Sequence, residues 1–198
     1  KDGTVLRQYD VPAPSLADDY DWGYVASDGD RLVGSAIRRG AAFRNFWGGS
    51  GAGWYDATSG AATLKVCSDN LFAVDKTSGK RAWDYSQGLI INSTITIGGG
   101  RVYFFETRNT ATVGQSERRL GAAEFWKDQF LVALDAQSGR KLWEQPIDTA
   151  DGTVLFCLAY GQERLVLLSS GGKEYSVYTY DAATGRSAWQ TTLRWRSN

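Results

Sequence analysis

The chain has 198 residues, enough for one sizeable core, and its 22 basic residues cancel its 22 acidic ones. That balance argues against nucleic acid or an anionic membrane surface as a partner. With no His and no Met, the chain itself excludes a His-ligated zinc site, a c-type haem motif and a Ser-His-Asp triad. No apolar run is long enough to span a bilayer. Many glycines, many aromatics and few prolines suit short strands joined by tight turns. Cys67 and Cys157 are expected as separate buried thiols.

Residues 1–10 read as the closing half of a repeat unit. Asp2-Gly3 is the turn, and Val5, Arg7 and Tyr9 alternate with Leu6 and Gln8. The strand that should precede this turn is missing, so the sequence is expected to be a segment of a longer protein. Pro12 to Asp19 is a polar connection. Strands resume at Trp22–Ala26 and Arg31–Ala36, around Asp28-Gly29-Asp30. An insertion follows, rich in Gly and aromatics, and a loop of that length is often functional. Leu71–Asp75 and Lys80–Tyr85 close this unit.

The next unit repeats the plan. Ile90–Ile97 is predicted as one strand and Arg101–Glu106 as its return. A second insertion follows, with one or two helical turns expected in Leu120–Trp126. Phe130–Asp135 and Arg140–Gln145 close it. The last unit has strands at Thr153–Ala159, Leu165–Ser169, Tyr175–Asp181 and Arg186–Thr192. The boundaries predicted are a partial unit 1–10, a unit 22–86 with insertion 38–66, a unit 88–148 with insertion 107–128, and a unit 153–193.

Each complete unit ends on one motif: Ala73, Asp75, Gly79 and Trp83; then Ala133, Asp135, Gly139 and Trp143; then Thr179, Asp181, Gly185 and Trp189. The Asp side chain can accept hydrogen bonds from amides further round the turn. The Gly supplies a left-handed residue for a bulged hairpin. The Trp buries ~150–250 Å² against whatever covers the sheet. Aligning Gly3 with Gly79 places Arg7 where the other copies carry Trp. The interval from Trp143 to Trp189 matches one four-stranded propeller blade, ~40–50 residues. The longer intervals equal that plus an insertion. The fold expected is all-β: a partial β-propeller of four-stranded antiparallel blades, about three full blades plus a flanking strand.

The motif Ala-x-Asp-x-x-Ser/Thr-Gly-Lys/Arg-x-x-Trp resembles the tryptophan-docking motif of the PQQ-repeat, or quinoprotein alcohol dehydrogenase-like, β-propellers. The resemblance implies a bacterial, periplasmic or otherwise extracytoplasmic protein. It implies that Trp83 sits between Ala73 and Gly139, and Trp143 between Ala133 and Gly185. Thr179 replaces the Ala in the third copy, so Trp189 should dock less closely. The family's usual seven or eight blades imply partners for this arc: the remaining blades of a parent protein, or association of two or more arcs.

The resemblance leaves three functions open. The first is a non-catalytic scaffold that binds a protein or ligand. The second is part of a quinoprotein dehydrogenase holding PQQ with Ca²⁺, which requires a complete propeller; polar Asn92 and Ser93 on an inner strand motivate it. The chain lacks the adjacent cysteines some such enzymes use, and no catalytic or metal-ligating residue is assigned. The third is a glycan or small-ligand site built on Trp47, Trp54 and Tyr55 of the first insertion. Arg108, Arg118 and Arg119 of the second insertion are expected on a solvated face with Glu106, Glu117 and Glu124, or against an acidic partner.

Overall fold

A computed structural model describes residues 4–5, 7–12, 20–41, 64–116, 118–149, 151–152, 155–171 and 174–194. They form an all-β structure of four-stranded antiparallel blades, the architecture expected of a propeller segment. The first blade comprises β1 (Tyr20–Asp28) and β2 (Arg31–Arg38), then β4 (Asn70–Asp75) and β5 (Arg81–Tyr85). Between β2 and β4 the chain forms a short strand β3 (Lys65–Ser68).

The inner edge of the second blade is split. β6 (Leu89–Ile91) and β7 (Thr96–Gly98) both pair with β8 (Arg101–Thr107). β8 leads to β10 (Gln129–Asp135) and β11 (Lys141–Ile147). Between β8 and β10 lie the helical turn α1 (Thr110–Val113), a two-residue strand β9 (Arg119–Leu120) and a 3-10 turn Ala123–Trp126. The third blade is a plain meander: β12 (Leu155–Gly161), β13 (Arg164–Gly171), β14 (Glu174–Asp181) and β15 (Ser187–Arg194).

Alternation explains how the blades stack. In β8, Val102 and Phe104 pack into a core shared with Val33, Leu71 and Trp83 of the first blade. Tyr103 and Phe105, one residue out of phase, pack against Phe156, Leu165 and Tyr180 of the third. A strand covered on both faces has no polar side to turn outward, hence its unbroken apolar run. Burying each of these Phe side chains contributes about 1.5–3 kcal/mol.

The motif turns share one geometry. Asp75 Oδ1 accepts from Ser78 N at 2.7 Å, Ser78 Oγ at 2.8 Å and Thr77 N at 3.1 Å. Asp135 and Asp181 repeat the pattern with Ser138 and Thr184. These bonds hold all three carboxyls below the usual carboxylate range. Gly79, Gly139 and Gly185 follow with φ of +73°, +70° and +71°. The strand register slips there, at Ala73/Val74, Ala133/Leu134 and Thr179/Tyr180.

Between blades, these turns meet different neighbours. Trp83 lies against Gly139, with Cγ 2.5 Å from where a Cβ would stand, and its Nε1 donates to Ala136 O at 3.0 Å. The six-membered ring of Trp143 lies against Gly185. Here Tyr103 OH, not the indole, donates to Ala182 O, at 3.2 Å. Trp143 Nε1 is buried without a partner among the described residues. Arg7 covers Gly79, and Tyr9 OH donates to Lys76 O at 2.8 Å. Trp189 is 53% exposed.

The structure corrects two readings. Residues 90–97 are not one strand: a 3-10 turn, Asn92–Thr94, separates β6 from β7. The cause is competition from side chains. Ser93 Oγ donates to Phe156 O of the third blade at 2.5 Å. Thr94 Oγ1 donates to Ile91 O at 2.7 Å and accepts Phe105 N at 2.8 Å, filling the gap left in the ladder. Cys157 is half-buried rather than buried; it and Cys67 are free thiols.

Candidate functional site

The two insertions meet each other. β3, from the first, pairs with β6 through Cys67↔Ile91 and Ser68↔Ile90. β9, from the second, pairs with β3 through Lys65↔Leu120 and Val66↔Arg119. Cys67 N adds a bond to Arg118 O at 2.8 Å. The second sheet therefore continues past its inner strand for two more strands, giving the order β11-β10-β8-β6-β3-β9. Ser68 Oγ anchors the junction, donating to Asn92 Oδ1 at 2.5 Å and lying 2.8 Å from Ser35 Oγ.

Asp69 is the hinge pin of this assembly. Its backbone N–H donates to Ala36 O at 3.1 Å. One carboxylate oxygen accepts from Arg118 Nε at 2.8 Å and the other from Arg38 Nε at 3.1 Å. Arg118, almost fully buried, also donates to the carbonyls of Gln115 and Val113. Arg38 Nη1 donates to Ser116 O at 3.2 Å. One carboxylate thus ties the end of β2 to the second insertion. Arg39 extends nearby, 3.8 Å from Asp21. A cleft of about 410 Å³ opens here, lined by Arg38, Arg39, Gly40, Ala41, Leu64, Ser116 and Arg118.

Strand β3 carries two buried titratable groups. Burial pushes the Lys65 amine down to about 8, and its Nζ lies 6.0 Å from the Trp126 ring centre. Burial pushes the Cys67 thiol up, which makes it inert as a nucleophile.

A second polar cluster lies at the end of β8. Glu106, fully buried, accepts from Arg108 Nε at 2.7 Å and Tyr85 OH at 3.0 Å on one oxygen. Its other oxygen has no partner among the described residues. Burial pushes the Glu106 carboxyl above its ordinary value. Arg108 also bonds Glu144 at 2.6 Å and stacks 4.0 Å from the Phe130 ring centre. The expected solvated face of Arg108, Arg118 and Glu106 is therefore wrong. Arg108 and Arg118 reach inward because Glu106, Glu144 and Asp69 offer carboxylates there.

Of the residues singled out in the sequence, the motif positions lie at the turns and between the blades. Trp47, Trp54 and Tyr55 lie outside the described residues, as does Glu117. Asn92 and Ser93 are brought to the junction. The cluster of Arg38, Arg39 and Asp69 was missed. Its signal was two arginines opening the first insertion and an Asp just after it, flanking strands that pair side by side (Ala36↔Asn70).

A family model described as "Outer membrane protein assembly factor BamB", of the PQQ-repeat type, matches residues 1–153 and 127–197. The chain belongs to the PQQ-repeat propeller family. Within the curated proteins, quinohemoprotein alcohol dehydrogenase ADH IIB of Pseudomonas putida is 27% identical over 172 residues. That match covers 71% of this chain and 22% of the relative, so the chain spans about a fifth of its length. Among solved structures, the rhamnogalacturonan lyase YesX shares 12% identity at a TM-score of 0.51, covering 88% of this chain and 32% of its own. BamB from Moraxella catarrhalis shares 16% at 0.41, covering 69% and 34%. At such identities the likeness concerns fold alone. No helix among the described residues is long and apolar enough to cross a membrane.

The described carboxylates do not by themselves assemble a Ca²⁺ site. No three His, Cys, Asp or Glu gather among the described residues as a metal site. Both Asp69 oxygens are held by arginines, and one Glu106 oxygen by Arg108 and Tyr85.

Proposed function

We propose that this chain is part of a non-catalytic PQQ-repeat scaffold that presents its insertion face to a protein or ligand. The observation that carries this reading is the junction of the two insertions. The described ends of the two insertions are joined to the blade by β3 and β9 and pinned by Asp69 between Arg38 and Arg118. A rigid scaffold displaying fixed loops is how repeat folds bind. The family description, which names an outer-membrane assembly factor, supports a protein partner and an extracytoplasmic location. Further blades, or a second arc, would cover Trp189.

The test uses the protein from its full reading frame, titrated with PQQ and Ca²⁺ and assayed for alcohol-dependent dye reduction. The scaffold reading expects no turnover. PQQ-dependent dye reduction would overturn it in favour of the second reading, a segment of a quinoprotein dehydrogenase, which the 27% identical alcohol dehydrogenase favours.

A further inference from the structure

We infer that the cleft between the two insertions binds a small organic anion: a carboxylate or phosphate carried on an apolar body. Three arginines line the cleft, Arg38, Arg39 and Arg118, and no carboxylate lines it among the described residues. The nearest acids do not neutralise this set. Asp69 is shared between two arginines, and Asp21 stands 3.8 Å from Arg39 at the surface. Guanidinium stays charged at every physiological pH, and its planar fork matches carboxylate and phosphate oxygens.

Position matters as much as charge. Asp69 and the carbonyls of Gln115 and Val113 hold Arg118 almost fully buried, so this cation is fixed before any ligand arrives. Arg39 is 55% exposed and meets only Asp21 among the described residues. It can close over an anion without giving up a short bond. Ala41 and Leu64, the latter 42% exposed, add apolar surface beside Gly40 and Ser116. A volume of about 410 Å³ exceeds what one inorganic ion fills and falls within the range of small-molecule sites. Both features select an anion with a hydrophobic body.

The inference rests on the insertion face being the binding face, and its test is separate from the PQQ assay. The anion titration is run without PQQ, itself an aromatic carboxylate, so turnover and anion binding are read separately. The full chain is titrated calorimetrically with phenyl phosphate, benzoate, inorganic phosphate and benzyl alcohol. At least one aryl anion should saturate, and weaken as salt rises. Inorganic phosphate should bind less tightly and benzyl alcohol not at all. The tighter of the two aryl anions identifies the headgroup. Arg39→Gln should weaken binding about tenfold, the loss of one charge-assisted contact. Arg38→Lys, which keeps the charge and loses the fork, should weaken it less. Should Arg39→Gln melt early, Arg39→Ala, which also removes the charge, carries the same comparison. No saturation by either aryl anion, or equal affinity in the Arg39 variant, overturns the inference.

Discussion

Gly185→Ala probes the contact between the second and third blades. Two costs arise at once. Gly185 has φ +71°, where an L-residue is strained by about 1–2 kcal/mol. A Cβ there would also stand 2.5 Å from Cζ3 and 2.7 Å from Cε3 of Trp143, and that overpacking costs about 1–3 kcal/mol. The sum is about 2–5 kcal/mol. Gly100→Ala separates the two costs. Gly100 has φ +72° but nothing within 4 Å of its added Cβ, so only the strain of about 1–2 kcal/mol applies. In urea, with m of about 2 kcal/mol/M, the two variants should differ in midpoint by roughly 0.5–1.5 M. Circular dichroism gives the midpoints. In a Trp143→Ala background the clash disappears, leaving the flexible Gln145 side chain as neighbour, and the Gly185→Ala cost should fall to the Gly100→Ala value. Equal midpoints for the two glycine variants, or additive losses with Trp143→Ala, would refute the packing account.

Three other outcomes follow from the described contacts. Tyr103→Phe should cost about 1–3 kcal/mol, because it leaves Ala182 O without its donor in a buried joint; a neutral result in urea denaturation would sink that role. Asp69→Ala should cost about 3–5 kcal/mol and expose segment 64–69 to hydrogen exchange, since it leaves Arg118 buried without that carboxylate. Hydrogen bonds from Arg108 and Lys141 hold the Glu144 carboxyl down to about 2, against an ordinary 4.5. Its stabilisation is therefore complete above 4.5 and lost as pH falls from there toward 2. Melting temperatures should drop less over that window in Glu144→Gln than in the natural chain, and parallel curves would count against the pairing.

The blades were legible because their signals are local. Leu131 to Leu134 alternate between two cores within one strand, and the Asp-to-Gly turns recur at constant spacing. The junction was not. β3 and β9 are four and two residues long, too short for a period to register, and they pair across more than fifty residues of chain. Nor could a propensity argument break Ile90–Ile97, because its interruption depends on Phe156 O and Ser68, which only the folded chain brings near. Arg108 and Arg118 show the same limit. Charge patterning sends arginines to the surface, and only the placement of Glu106, Glu144 and Asp69 turns them inward.

The carbonyl one residue past each motif Asp behaves as a socket that accepts more than one plug. Indole fills it at Ala136, and phenols fill it at Lys76 and Ala182, the first reaching from the flanking segment and the second from an inner strand. Recognition between successive blades therefore resides in an invariant acceptor and not in a matched pair of side chains. Such a coupling tolerates drift on the donor side while the array holds its register. It also gives a protein engineer a rule for splicing: a foreign blade needs one hydroxyl or N–H delivered to that oxygen, and a flat side chain laid against the glycine three residues on.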